Sequence, residues 1–172
     1  MATLAPDTVR PRIPAPSIAP DTFEKLLGVG AIVLLAAVLV ALARGQAEWS
    51  RVPWVIWPHL LTIIVALALT PVMMFRRRGD RRHRSLGTIW VVAMILTALF
   101  SFAIRQADGG FSWIHLLSIF TLVQVPWLWW NARRHDVAGH RRGVRGMVTG
   151  ALLIAGFFTF PFDRLLGHWL FG

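Results

Sequence analysis

The sequence predicts an all-α integral membrane protein with five transmembrane helices, the last four forming a core four-helix bundle from a tandem two-helix repeat. Three observations predict it. Apolar residues make up 56% of the chain against 15% charged ones, and the mean hydropathy is +0.59, outside the range of ordinary soluble domains. The apolar residues fall into five long runs separated by short basic blocks. The phrase Trp57-Pro58-His59-Leu60-Leu61-Thr62-Ile63 returns as Trp113-Ile114-His115-Leu116-Leu117-Ser118-Ile119.

Residues 1–25, rich in proline toward their start and poor in bulky apolar side chains, are expected to be a flexible cytoplasmic tail. Residues 26–172 then form a single membrane domain. Its first span, 26–43, is an uninterrupted apolar run of 18 residues, about 27 Å as a helix and close to the roughly 30 Å hydrocarbon thickness. Ala41-Leu42-Ala43 resembles a signal-peptide cleavage site, but the run is longer than a typical signal core and is preceded by a long, weakly basic segment. Further spans are expected at about 54–75, 86–104, 113–130 and 147–165. Pro71, Pro126 and Pro161 are expected near helix ends, where a missing N–H is tolerated.

Arginines set the orientation. The N-terminus and the loops after spans two and four carry 14 Lys and Arg residues; the opposite side carries Arg44, Arg51, Arg105 and Arg164. The positive-inside rule places the N-terminus in the cytoplasm and the C-terminus in the periplasm of a bacterial inner membrane. Tryptophans mark both interfaces, with Trp49, Trp54, Trp57, Trp113 and Trp169 outside and Trp90, Trp127, Trp129 and Trp130 inside. Cations confined to short blocks do not form a nucleic-acid groove, so no nucleic-acid partner is expected.

Each copy of the repeat continues from its histidine into an apolar run with one proline, an arginine pair and a His-Arg. The spacings from the histidine are 12, 17 and 24 residues to Pro71, Arg76 and His83, and 11, 18 and 25 to Pro126, Arg133 and His140. Copies entering from the same side form a parallel repeat, which brings His59 to the depth of His115 near the outer face and His83 to that of His140 near the inner face. An imidazole inside the hydrocarbon is costly without a partner, so the outer pair points either to a bis-histidine b haem or to interhelical hydrogen bonds with groups such as Thr62 and Ser118. The inner pair, expected in arginine-rich loops, points either to a second haem with arginines on its propionates or to a basic headgroup-binding surface. Arg105, at the outer end of span three, either meets a propionate or a quinone head group or snorkels to the lipid surface. His135 and His168 have no counterpart in the other copy.

With no cysteine, metal chemistry falls to histidine or methionine. Walker, HExxH and nucleophile-elbow motifs are absent from the sequence, and the carboxylates lie in loops or, like Asp163, at the end of a span, which argues against a hydrolase or an ion-coupled carrier.

At Arg82-His83-Arg84-Ser85-Leu86-Gly87 and His140-Arg141-Arg142, each leading into a span, and with His59 opening span two, the chain resembles the bacterial membrane proteins grouped as domain of unknown function 2306. That resemblance covers about residues 55–160 and implies a topology but no activity. In the order of His59, His83, His115 and His140 the chain also resembles cytochrome b561-type proteins, whose histidines on four successive helices bind two haems, first with third and second with fourth. The resemblance implies haem b, one or two per chain, and electron transfer across the bilayer, with quinone as a possible partner. The alternative is a non-catalytic accessory or assembly subunit of a larger respiratory or photosynthetic membrane complex.

Overall fold

A computed structural model describes residues 18–104, 113–161 and 164–172. The described residues are helical throughout, with no strand among them. Helix α1 is Thr22–Arg44, followed by a 3-10 segment, Gly45–Arg51; α2 is Ile56–Met74, α3 Arg81–Ala103 and α4 Trp113–Arg133. A fifth helical run follows without a break: α5 Val137–Met147, a π-helical segment Val148–Ile154, and α6 Ala155–Phe157. The short helix α7, Leu165–Phe171, closes the described chain.

Among the described residues, three helices are long and apolar enough to cross a membrane: Thr22–Arg51, Ile56–Met74 and Arg81–Ala103. Their outward faces are apolar too, with Leu26, Val33, Leu61 and Val92 exposed. A soluble protein would hide such a surface, whereas lipid solvates it.

The helices pack in chain order, α1 on α2, α2 on α3, α3 on α4 and α4 on α5, and the π-helical segment returns to α1. The expected four-helix core is therefore a ring of five in which α1 is a full member. Leu27, Ala31, Val38 and Ala41 of α1 are buried with Leu67 of α2, Trp90 and Met94 of α3, Val125 and Leu128 of α4, and Leu152. The small α1 residues account for this. At Gly28 an added Cβ would approach the Phe75 ring to 3.0 Å, and at Gly156 of α6 it would approach the Leu34 side chain of α1 to 2.6 Å, so neighbouring side chains pack directly on the glycine backbone.

Helix boundaries amend three expectations. First, the tail is shorter than 1–25, because Asp21 caps α1 and Glu24 completes a reciprocal capping box. Ile18 and Ala19 are also docked, their carbonyls accepting from Arg78 N–H and its guanidinium at 3.0 Å each; residues 1–17 lie outside the described set. Second, the fifth run begins at Val137, well before the expected 147, and its α-helical part stops at Phe157, before the expected 165. Basic residues concealed the early start from hydropathy, and the turn at 158–161, with Pro161, ends the run. Third, Pro126 is not at a helix end, since Trp127 to Arg133 continue α4 beyond it. Pro71 does lie in the last turn of α2.

The repeat extends further than its histidines. Gly79 has φ 87° and precedes Asp80, which caps α3; His135 has φ 60° and precedes Asp136, which caps α5. Asp80 and Asp136 are 56 residues apart, as are His59 and His115. His135 thus does have a counterpart, namely Gly79: both occupy the left-handed turn that reverses the chain before the capping aspartate.

Candidate functional site

All four repeat histidines sit in the first turn or so of a helix: His59 in α2, His83 in α3, His115 in α4 and His140 in α5. His83 and His140 are therefore helical residues rather than loop residues. The capping aspartates set this geometry. Asp80 accepts from His83 N–H at 2.6 Å and Asp136 from Gly139 N–H at 2.9 Å, fixing where each helix begins and so where its histidine projects.

His83 and His140 line one cavity of about 500 Å³ at the basic end of the ring, enclosed by side chains of all five helical runs. Its apolar wall includes Met73, Trp90, Val91, Leu128 and Trp129. Its polar wall holds Arg78, Arg84, Arg133 and Arg141 with Glu24. The volume falls within the roughly 300–1,000 Å³ typical of cofactor and ligand pockets.

The two rings are held differently. His140 Nδ1 lies 2.9 Å from the Leu128 carbonyl, which can only accept, so Nδ1 carries the proton and the neutral ring keeps its lone pair on Nε2. That arrangement, a ring N–H anchored on a backbone carbonyl, is the usual support of a metal-binding imidazole. His83 Nδ1 is buried and makes no hydrogen bond among the described residues. A buried nitrogen left without a partner costs stability unless a ligand completes it. Of the lining arginines, Arg84 and Arg133 engage no carboxylate among the described residues; Arg133 instead stacks 4.4 Å over the Trp129 ring.

Glu24 is the residue that sequence reading missed. It is 2% exposed and sits in α1, ahead of the expected span. Arg78 and Arg141 both engage it, Arg141 through Nε at 2.7 Å, and Arg145 lies 3.2 Å away. Asp21, which also binds Arg141 and Arg145, joins the cluster. Asp21-Thr22-Phe23-Glu24 before an apolar run is a capping-box pattern and was the available signal. The hydrogen bond from Glu24 N–H, aided by the Arg145 guanidinium, holds the Asp21 carboxyl below its ordinary 3.8.

The outer histidines are not brought together in the same way. His59 Nδ1 donates to the Thr97 carbonyl of α3 at 3.0 Å. His115 is buried, with the Phe102 ring of α3 at 5.7 Å from its own. Each is thus engaged by α3, which also links Thr97 to Thr62 at 2.8 Å, Ser101 to Ser118, and Trp90 to Thr70 at 2.9 Å. His59 alone of the pair lines the second cavity, about 480 Å³ at the opposite end of the ring. Arg105 falls outside the described residues.

No family model, curated protein or solved structure matches this chain. Among the described residues no group of three or more histidine, cysteine or acidic side chains is arranged to hold a metal ion by itself. Three imidazoles, those of His83, His135 and His140, line the inner cavity.

Proposed function

We propose that this chain is a b-type cytochrome-like membrane protein that transfers electrons through haem held between His83 and His140. It would cross a bacterial inner membrane five times, with its basic end and N-terminus in the cytoplasm. The observation that carries this reading is the shared cavity: two first-turn histidines, an apolar aromatic wall and arginines in one enclosure. The fit rests on the orphaned Nδ1 of His83 and the carbonyl-anchored ring of His140. The 21-residue α4 and the unbroken run from α5 through α6 supply the remaining two spans in this reading.

Haem between two imidazoles supplies reversible one-electron transfer at the iron. The chain's own residues prepare the place for it. Leu128 fixes the His140 tautomer, and the Asp80 cap fixes the start of α3 and with it His83. Arg84 and Arg133 are available to neutralise propionates, while the apolar wall keeps water from the ring.

Protein purified from haem-replete cells is expected to show a Soret band and a reduced-minus-oxidised peak in the b-cytochrome range. His83→Ala and His140→Ala should each remove most of it; His59→Ala should not. A colourless protein with no haem by pyridine assay overturns the reading.

A second reading, an accessory or assembly subunit, has its own support. Asp21 and Glu24 engage three of the inner arginines in a structural cluster, which gives much of the basic end a role without a cofactor. Stoichiometric co-purification of a larger complex by a colourless chain would favour it.

A further inference from the structure

Helix α4 carries two polar side chains that the haem reading does not use. Its inward face, with His115, Ser118, Thr121, Val125 and Leu128, is buried against α3 and α5. Its outward face is apolar, with Leu116, Phe120, Val123 and Trp127 between 47% and 62% exposed. Gln124 and Asn131, both half-buried, border that outward face. Neither side-chain amide makes a hydrogen bond among the described residues.

Gln124 stands near the middle of the 21-residue helix, nine residues before Arg133 and about 14 Å from it at roughly 1.5 Å per residue. In hydrocarbon an amide with neither donor nor acceptor satisfied is costly, and its usual remedy is a polar group on a neighbouring helix. Phe120, Gln124, Trp127 and Asn131 follow one another at spacings of four, three and four residues, the seam of a left-handed helix pair. The two amides are thus one heptad apart in a single seam. Their chemistry selects the occupant. A carboxamide carries both donor and acceptor, so it is complementary to another copy of itself. Copies inserted with the same orientation pair about an axis along the membrane normal, which brings like residues to the same depth. Gln124 then meets Gln124 and Asn131 meets Asn131, and the polar places fix the register as a buried asparagine does in a soluble coiled coil.

We propose that two copies of this chain dimerise in the membrane through parallel α4 helices, with Phe120, Gln124, Trp127 and Asn131 at the seam and both carboxamides bonded to their counterparts. This rests on α4 crossing the membrane, as in the five-span reading, and not on haem.

The test uses the full chain, whose lack of cysteine lets single cysteines be introduced one at a time. Oxidation by copper phenanthroline in native membranes should cross-link Phe120→Cys, Gln124→Cys and Trp127→Cys to dimers and leave Ile119→Cys, exposed but off the seam, as monomer. Light scattering in dodecyl maltoside should give twice the 19.3 kDa chain mass. Gln124→Leu should raise the dimer dissociation constant about tenfold at unchanged helical content, and adding Asn131→Leu should raise it further. A monomer at all concentrations, cross-linking at Ile119 equal to that at Phe120, undiminished affinity in Gln124→Leu, or cross-links to a different membrane protein overturns the proposal. Alkaline phosphatase fused after residue 110 and after residue 135 reads the crossing of α4 separately, and is expected to be active only at the first point. A crossing without dimers fells this inference alone; equal phosphatase activity at both points fells the five-span reading and this inference with it.

Discussion

His135 holds a left-handed conformation with φ 60° where its repeat partner is Gly79 at φ 87°. For an L-residue with a Cβ this conformation costs roughly 1–2 kcal/mol, and glycine avoids the cost while giving up some unfolded-state restriction. His135→Gly is therefore expected to stabilise the protein by about 0.5–1 kcal/mol, and Gly79→Ala to destabilise it by a similar amount, read from thermal melts followed by helical circular dichroism. The repeat could have been extended to this residue from sequence, since Arg-Arg-Gly-Asp at 77–80 and Arg-Arg-His-Asp at 133–136 occupy the same 56-residue register. Histidine and glycine look unlike in chemistry and alike only in backbone angle, which a sequence does not display. His83 and His140 were legible as a pair, but their standing within helices was not, because the arginines around each, Arg81, Arg82 and Arg84 in α3 and Arg141 and Arg142 in α5, interrupt any apolar periodicity.

At the scale of elements, the helix starts are set by aspartates: Asp21 for α1, Asp80 for α3 and Asp136 for α5. The hydrogen bond from His83 N–H, with Arg76 at 3.1 Å, holds the Asp80 carboxyl below its ordinary 3.8, in the same sense as Asp21. A carboxylate whose folded value is depressed adds stability that is complete above the unfolded value and is lost as pH falls through the folded one. Melting temperature should accordingly be flat with respect to these two groups from about pH 8 to pH 5 and decline below about pH 4. The Asp21→Asn, Asp80→Asn double variant should show a shallower decline; a decline unchanged from the original would show that other groups set it. The apolar runs made α1 to α4 readable to within a few residues at most ends. The early part of α5 escaped because Gly139-His140-Arg141-Arg142-Gly143 offers no bulky apolar side chain from which a helical period could be read.

Across the whole molecule, the expected core of four helices becomes a ring of five because α1 reaches both its sequence neighbour α2 and the distant fifth run. At the basic end the closure is ionic, through Glu24 with Arg141 and Arg145. At the other end it is made by Trp169 Nε1 donating to Glu48 at 3.1 Å and by Arg44 donating to the Leu170 carbonyl at 2.5 Å. Removing one partner of a buried ion cluster typically costs about 3–5 kcal/mol, since the remaining charges stay buried. Arg141→Ala should therefore lower the melting temperature far more than Arg142→Ala, whose side chain is exposed, and Glu24→Gln should behave like Arg141→Ala. Equal effects at Arg141 and Arg142 would mean that the cluster does not hold the ring together. Of the arginines counted for orientation, three, Arg78, Arg141 and Arg145, are tied inward to α1. Charge counting along a sequence has no means of separating those two uses.

The bond between Glu24 and Arg141 joins residues 117 positions apart. A ribosome makes one long before the other. Until α5 emerges, Glu24 has Arg78 but lacks Arg141 and Arg145, two of its three cationic partners. Any chain broken off before α5 would keep that defect for good. The ionic closure is therefore among the last parts of the ring to be completed, since it needs both ends of the chain.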